Sequence, residues 1–220
     1  IAVLLLLLLV ACVPQRQGVS WAAISELDGN ILVAFNGYMV LVEPTNGRPV
    51  QLRNSEGEIR TDESGAPLRW IVDGGDTTSQ FFTVPIRLDD ESLVVADYNE
   101  KLVQVDINRA TVRTGSQFEL PGHVIADPVR SDNMLYIGIT EKDLVAFDLG
   151  TYQEVWRFES DRGVWDSPLL NDGILYVPDM GHHLYAVNAE TGELIWTADL
   201  DGAIASTPLL VENRLFVGTF

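Results

Sequence analysis

The sequence has a single cysteine, Cys12, so neither an intrachain disulfide nor a Cys-x-x-Cys zinc site can form. Basic residues are also scarce. Fourteen Lys and Arg stand against 32 Asp and Glu, a formal net charge of -18. Nucleic acid is therefore not an expected partner, because releasing phosphate counterions needs a basic footprint. The acidity reads first as solubility and resistance to self-association, with attraction of a basic partner as the alternative. Nor is there an apolar run of the roughly 20 residues that a membrane-spanning helix needs. Histidine is rare too, with only His123, His182 and His183.

What the chain does have is many short apolar stretches punctuated by turns. Its 220 residues are 46% apolar, with ten prolines and 18 glycines. That suffices for one large all-β domain or two small ones. Residues 1–11 stand apart. Ile1 to Val10 is unbrokenly apolar and ends at Pro14, Gln15 and Arg16, the length of a signal-peptide h-region. Leu9-Val10-Ala11-Cys12 resembles the bacterial lipobox. The resemblance implies that Cys12 is acylated and becomes the first mature residue, tethering the protein to a membrane outside the cytoplasm. Without a methionine or basic segment before Ile1, the chain is expected to lack its natural beginning. Residues 12–27 then read as a linker leading into the first repeat.

The remainder, 28–220, is organised by an internal repeat. Three segments align without gaps at a spacing of 40: Asp127-Pro128 through Tyr136, Ser167-Pro168 through Tyr176, and Thr207-Pro208 through Phe216. Trp156 and Trp196 keep the same spacing, as do Asp148 and Asn188. Within Ser167 to Asp199, four short strands are separated by Asn171-Asp172-Gly173, by a loop before His183, and by Asn188 to Gly192. Four antiparallel strands in about 40 residues make one propeller blade. Diverged units run from Pro85 to Phe118 and from Asp28 to Gly47. Between them, Leu68 to Val72 reads as the first blade's outer strand, carrying Trp70 behind a hairpin extension at Asn54 to Ala66. The prediction is an all-β propeller of four-stranded antiparallel blades, with about four and a half blades present. Phe220 falls inside the second strand of a fifth unit, so the C-terminal part is expected to be missing as well.

Gly173-x-Leu175-Tyr176-Val177 followed by Leu184-Tyr185-Ala186-Val187-Asn188-Ala189-Glu190-Thr191-Gly192-Glu193-x-x-Trp196 resembles the repeat of pyrroloquinoline-quinone (PQQ)-like propellers. Together with the lipobox, the chain is similar to BamB-type outer-membrane assembly lipoproteins. The resemblance implies seven or eight blades, with Trp70, Trp156, Trp196 and Gly192 as blade-packing residues. Such residues speak of architecture and not of a cofactor.

Chemistry is harder to find. PQQ-dependent dehydrogenases of this fold use calcium, a catalytic aspartate and often a vicinal disulfide, and Cys12 is alone. No catalytic residue, no metal site and no cofactor is therefore expected. Asp89-Asp90-Glu91 reads as a solvated turn. His182 and His183 read as an exposed loop pair, since neighbours on a strand point to opposite faces. His123 has no Gly-x-Ser-x-Gly nucleophile to serve. Gln80-Phe81-Phe82 reads either as an exposed peptide contact or as core. Asp127, Asp166, Ser167, Ser206 and Thr207 precede the repeat prolines, where the innermost strand begins. They are the candidate channel-rim binding residues, the plainer reading being that they satisfy backbone groups.

The expected function is a monomeric, non-enzymatic envelope scaffold that binds another protein and contributes to outer-membrane protein assembly. The alternative is small-molecule or glycan binding in the channel, including vestigial PQQ binding or a dehydrogenase fragment. A sensory ectodomain is a third reading. With an outer membrane, the anchor is expected on its periplasmic face; with one membrane, on the outer leaflet.

Overall fold

The computed structural model describes residues 21–74 and 79–220. The apolar leader and Cys12 lie outside the described residues. The chain divides into two compact units, Ile1–Asp97 with Lys101–Gln117, and Tyr98–Glu100 with Phe118–Phe220.

The first unit holds two four-stranded sheets. One joins β1 (Ala23–Leu27), β2 (Asn30–Phe35), β3 (Tyr38–Val42) and β4 (Ile71–Asp73) in sequence order. The other joins β5 (Ile86–Arg87), β6 (Ser92–Asp97), β7 (Lys101–Asp106) and β8 (Thr111–Glu119), whose last two residues belong to the second unit. The first blade thus begins at Ala23 and not at Asp28. Ala23 to Leu27 pairs residue for residue with Ala34 to Asn30, and its buried ends Ala23 and Leu27 join the core. The outer strand is also shorter than expected, because Leu68 and Arg69 belong to the insertion.

That insertion is not a hairpin. Leu52 N–H donates to the Leu68 carbonyl at 2.9 Å, Leu68 N–H to Arg60 at 2.8 Å, and Arg60 N–H to Leu52 at 2.8 Å, closing a triangle. A second triangle at its base links Leu41, Trp70 and Val50 in the same way. Three legs spaced by eight residues therefore wrap about one axis. Their two outer turns are alike: the Asn54 side chain accepts from Glu56 and Glu58 N–H, and the Asp62 side chain from Ser64 and Ala66 N–H. The Ser64 hydroxyl and these amides hold the Asp62 carboxyl below the usual carboxylate range. A closed ring of this kind presents no continuing sheet edge to other chains.

Leu52 is buried with the unit's core, and Val50 and Leu68 pack against it. Trp70 is only 3% exposed, and its Nε1–H donates to the Ile107 carbonyl at 2.7 Å, in the turn after β7. Phe81 and Phe82 are buried, which decides between their two readings in favour of core. Trp70→Phe should lower the urea midpoint by an amount worth about 1–2 kcal/mol, the cost of leaving the Ile107 carbonyl unpaired. An unchanged midpoint would remove this bond from the account.

The second unit contains β9 (Val129–Ser131), β10 (Met134–Gly138), β11 (Asp143–Asp148) and β12 (Gln153–Glu159) as one sheet. A second sheet comprises β13 (Leu169–Asn171), β14 (Ile174–Pro178), β15 (His183–Asn188) and β16 (Leu194–Asp199), followed by the hairpin of β17 (Leu209–Val211) and β18 (Arg214–Phe216). The repeat reaches fine detail. The outer strand bulges opposite the Ala146–Phe147 step of β11 in one sheet and opposite the Ala186–Val187 step of β15 in the next, placing Ala146 opposite Trp156 and Ala186 opposite Trp196. The extra residues, Val155 and Ile195, are about half exposed.

Two side chains of one blade converge on a single carbonyl of the next. Ala189 O accepts from Trp156 Nε1–H at 3.2 Å and from the Tyr136 hydroxyl at 3.1 Å. The Trp156 ring lies on Gly192, which has φ 75°. The equivalent position in the preceding blade is Tyr152, also at positive φ, and its ring stacks on Phe118 with centroids 3.8 Å apart. Tryptophan on glycine is thus exchanged for phenylalanine on tyrosine. Trp196 keeps the contact to Tyr176 that Trp156 makes to Tyr136, but is 38% exposed.

Candidate interaction site

In the second unit, the β10–β11 and β14–β15 loops lie at one end of their sheets, beside the segment linking β12 to β13. Asp179 opens the β14–β15 loop and is fully buried. A buried carboxylate is tolerable only when its lone pairs are filled. Here Oδ1 accepts from the N–H groups of His183 at 2.7 Å and Gly181 at 2.9 Å. Oδ2 accepts from the Tyr185 hydroxyl at 3.1 Å and Arg162 N–H at 3.2 Å. Burial pushes the Tyr185 hydroxyl up to about 12, with the nearby Asp179 charge adding to the rise, while the hydrogen bond from Asp161 N–H to its oxygen opposes it. Asp179 therefore ties the loop to the 160–163 segment of the neighbouring blade.

His182 and His183 part company at this loop. His182 is exposed, as expected, with φ 74°. His183 is half-buried, Nδ1 lying 3.3 Å from Asp179 and Nε2 3.5 Å from Asp199. The expectation of an exposed pair is thus corrected for His183, because β15 begins there and turns that side chain inward. Among the described residues no three His, Cys, Asp or Glu side chains are grouped to hold a metal ion.

The braced segment presents Trp165. Its Nε1–H donates to the Thr140 carbonyl at 3.0 Å, yet the residue is 49% exposed. Such an approach requires glycine at 163, where a Cβ would sit 2.0 Å from Thr140 O and 2.5 Å from the indole nitrogen. Trp165 overlooks an open cleft of about 530 Å³ lined also by Glu141, Asp161, Arg162, Met180 and His182. Glu141 also neighbours a second pair of rings. His123 stacks on Tyr98, centroids 4.5 Å apart, and its Nδ1–H donates to the Tyr98 carbonyl at 2.7 Å. His123 also stands 3.7 Å from Glu100 and 3.9 Å from Glu141.

The candidate rim residues are engaged differently. Asp166 accepts from Ser167 N–H at 2.8 Å and from the Thr207 hydroxyl at 2.7 Å, and the Ser206 hydroxyl donates to Gly218 O at 3.3 Å. Asp127 is half-buried. Asp166, Ser167 and Thr207 thus come together, and their bonds tie successive blades. Asp89 caps its own turn, as a solvated turn requires, accepting from Glu91 N–H and the Ser92 hydroxyl. In the sequence Trp165 stands out only as the approach, with Gly163 and Val164, to the rim position at Asp166-Ser167, and nothing marks Tyr98 and Glu141.

Sheets of four antiparallel strands, repeated with the same bulge and the same tryptophan, define a propeller built of PQQ-like repeats. Residues 140–219 match the model of a family described as outer membrane protein assembly factor BamB. The fold is thus a propeller of PQQ-like repeats, and residues 140–219 are similar to the repeats of that family. Among solved structures it is similar to BamB from Moraxella catarrhalis, with 19% identity, a TM-score of 0.63 and coverage of 93% of this chain and 56% of that one. It is also similar to the computationally designed Ika8 protein, with 13% identity, a TM-score of 0.61 and coverage of 89% and 67%. At these identities the likeness shows the fold. The chain spans little more than half the length of the Moraxella protein. No curated protein sequence matches it.

Proposed function

We propose that this protein is a non-catalytic scaffold of the cell envelope, acylated at Cys12, that binds a partner protein during assembly of outer-membrane proteins. The observation that carries the reading is the match of residues 140–219 to the BamB family model. The repeat residues support a scaffold role, since Trp156, Gly192 and Asp179 are all consumed in joining strands and blades. An exposed but immobilised indole such as Trp165 loses little freedom on binding, which favours its use as an interface anchor.

Deleting the gene in its host should lower the amounts of β-barrel proteins in the outer-membrane fraction, with recovery on re-expression of the wild-type protein. Wild-type protein should incorporate radiolabelled palmitate and sediment with membranes, and the Cys12→Ser form should do neither. Unchanged β-barrel levels would sink the assembly role. Unlabelled wild-type protein would sink the anchor.

A further inference from the structure

The loop end of the second unit carries an alternating strip of rings and carboxylates. Glu100, the His123–Tyr98 stack, Glu141, Trp165 and Asp161 follow one another through contacts of 3.7 Å and 3.9 Å at His123 and the shared cleft beyond Glu141. Each carboxylate side chain is about half exposed or more, at 47%, 51% and 64%. The strip is assembled from four loops, and their backbones are cross-linked. Leu120 N–H donates to Glu100 O, Thr140 N–H to His123 O, Val164 N–H to Ile139 O, and Met180 N–H to Gly163 O. The surface is therefore shaped before any partner arrives.

We propose that this strip binds an extended, basic segment of a partner protein, with an arginine or lysine stem lying on Trp165 and its charge between Glu141 and Asp161. The inference rests on the scaffold reading and names the chemistry of the partner. Because Trp165 spends its N–H on Thr140, it has only its ring surface to offer, and a ring face attracts cations. The carboxylates flanking it supply the opposite charge, on a chain whose net charge is -18. Arg162 and His182 also line the cleft. Arg162 is 71% exposed and rests 3.9 Å from Asp161, so an incoming guanidinium displaces a loosely held cation. Lys142 is already paired with Glu159. An acidic or purely apolar segment would gain neither the ring face nor the carboxylates.

The test uses the whole chain and a fluorescently labelled glycine–serine peptide carrying spaced arginines, with a citrulline twin as control. Anisotropy at low salt should show the arginine peptide bound at least about fivefold more tightly than its twin. Trp165→Ala, and separately the pair Glu141→Gln and Asp161→Asn, should each remove most of that preference while thermal melting shows a folded protein. Neutralising Glu56 and Glu63, exposed on the insertion of the first unit, should leave it intact. Equal loss from the Glu56 and Glu63 changes would mean attraction by overall charge and overturn the proposal. So would a shift of the Trp165 indole resonance by an amino-sugar oligosaccharide and not by the arginine peptide. If the peptide fails while gene deletion still depletes β-barrel proteins, this inference alone falls. If the peptide binds at Trp165 and deletion has no effect, the strip stands and the assembly role falls.

Discussion

Replacing Gly192 by alanine should destabilise the second unit by about 2–4 kcal/mol, the combined cost of a strained backbone and an overfilled joint. Two independent constraints meet at this residue. Its φ of 75° lies in the left-handed region, where a β-carbon is disfavoured. A β-carbon would also sit 2.7 Å from Cδ2 and Cε3 of Trp156, which cannot retreat without giving up its bond to Ala189 O. The two contributions can be separated. In a Trp156→Ala background the added methyl meets no ring, so Gly192→Ala should then cost only the backbone share, about 1 kcal/mol. Urea unfolding of the four proteins forms a double-mutant cycle. Additive effects would show that Trp156 and Gly192 do not constrain each other.

The second large effect is expected at Asp179. Truncation to alanine leaves the N–H groups of His183, Gly181 and Arg162 and the Tyr185 hydroxyl without their acceptor in a buried site. Removing one member of such a network should cost about 3–5 kcal/mol. Tyr185→Phe removes one of these bonds together with the acceptor of Asp161 N–H, and should cost about 1–2 kcal/mol. Because Asp179 and Tyr185 join the 160–163 segment to the β14–β15 loop, hydrogen exchange should accelerate at Arg162 and Gly181 in both variants, more so in Asp179→Ala. Exchange unchanged at Arg162 would show that the segment is held by other contacts. A loss of stability below about 1 kcal/mol would mean that water replaces the carboxylate.

Much of the blade structure was legible because a propeller repeat is local. Strands, turns and the closing tryptophan recur within 40 residues, and the β13–β14 and β15–β16 turns carry their signals in Asp172-Gly173 and Asn188 to Gly192. The insertion was misread for the opposite reason. Its legs Leu52, Arg60 and Leu68 repeat every eight residues, and two turns with polar tips look like one hairpin until the closing bond between Leu52 and Leu68 is seen. At Tyr152 the sequence shows only that Thr151-Tyr152 stands where the next repeat has Thr191-Gly192. The compensation for Tyr152, Phe118, lies more than thirty residues away and signals nothing by itself. The interaction strip was least legible of all, since Tyr98, His123, Glu141 and Trp165 stand in separate loops with no shared motif.

The sequence by itself determined the all-β repeat, the positions of its recurring tryptophan and turn glycine, and the acidic net charge. These follow from periodicity, turn chemistry and charge, all properties of neighbouring residues. Tertiary structure alone decided which tryptophans are spent and which are offered. Trp70 and Trp156 close joints by donating to carbonyls of the next blade, while Trp165 donates to Thr140 and keeps half its surface in solvent. An indole reads the same in any sequence. Its role is set by whether another blade or only water lies against its face.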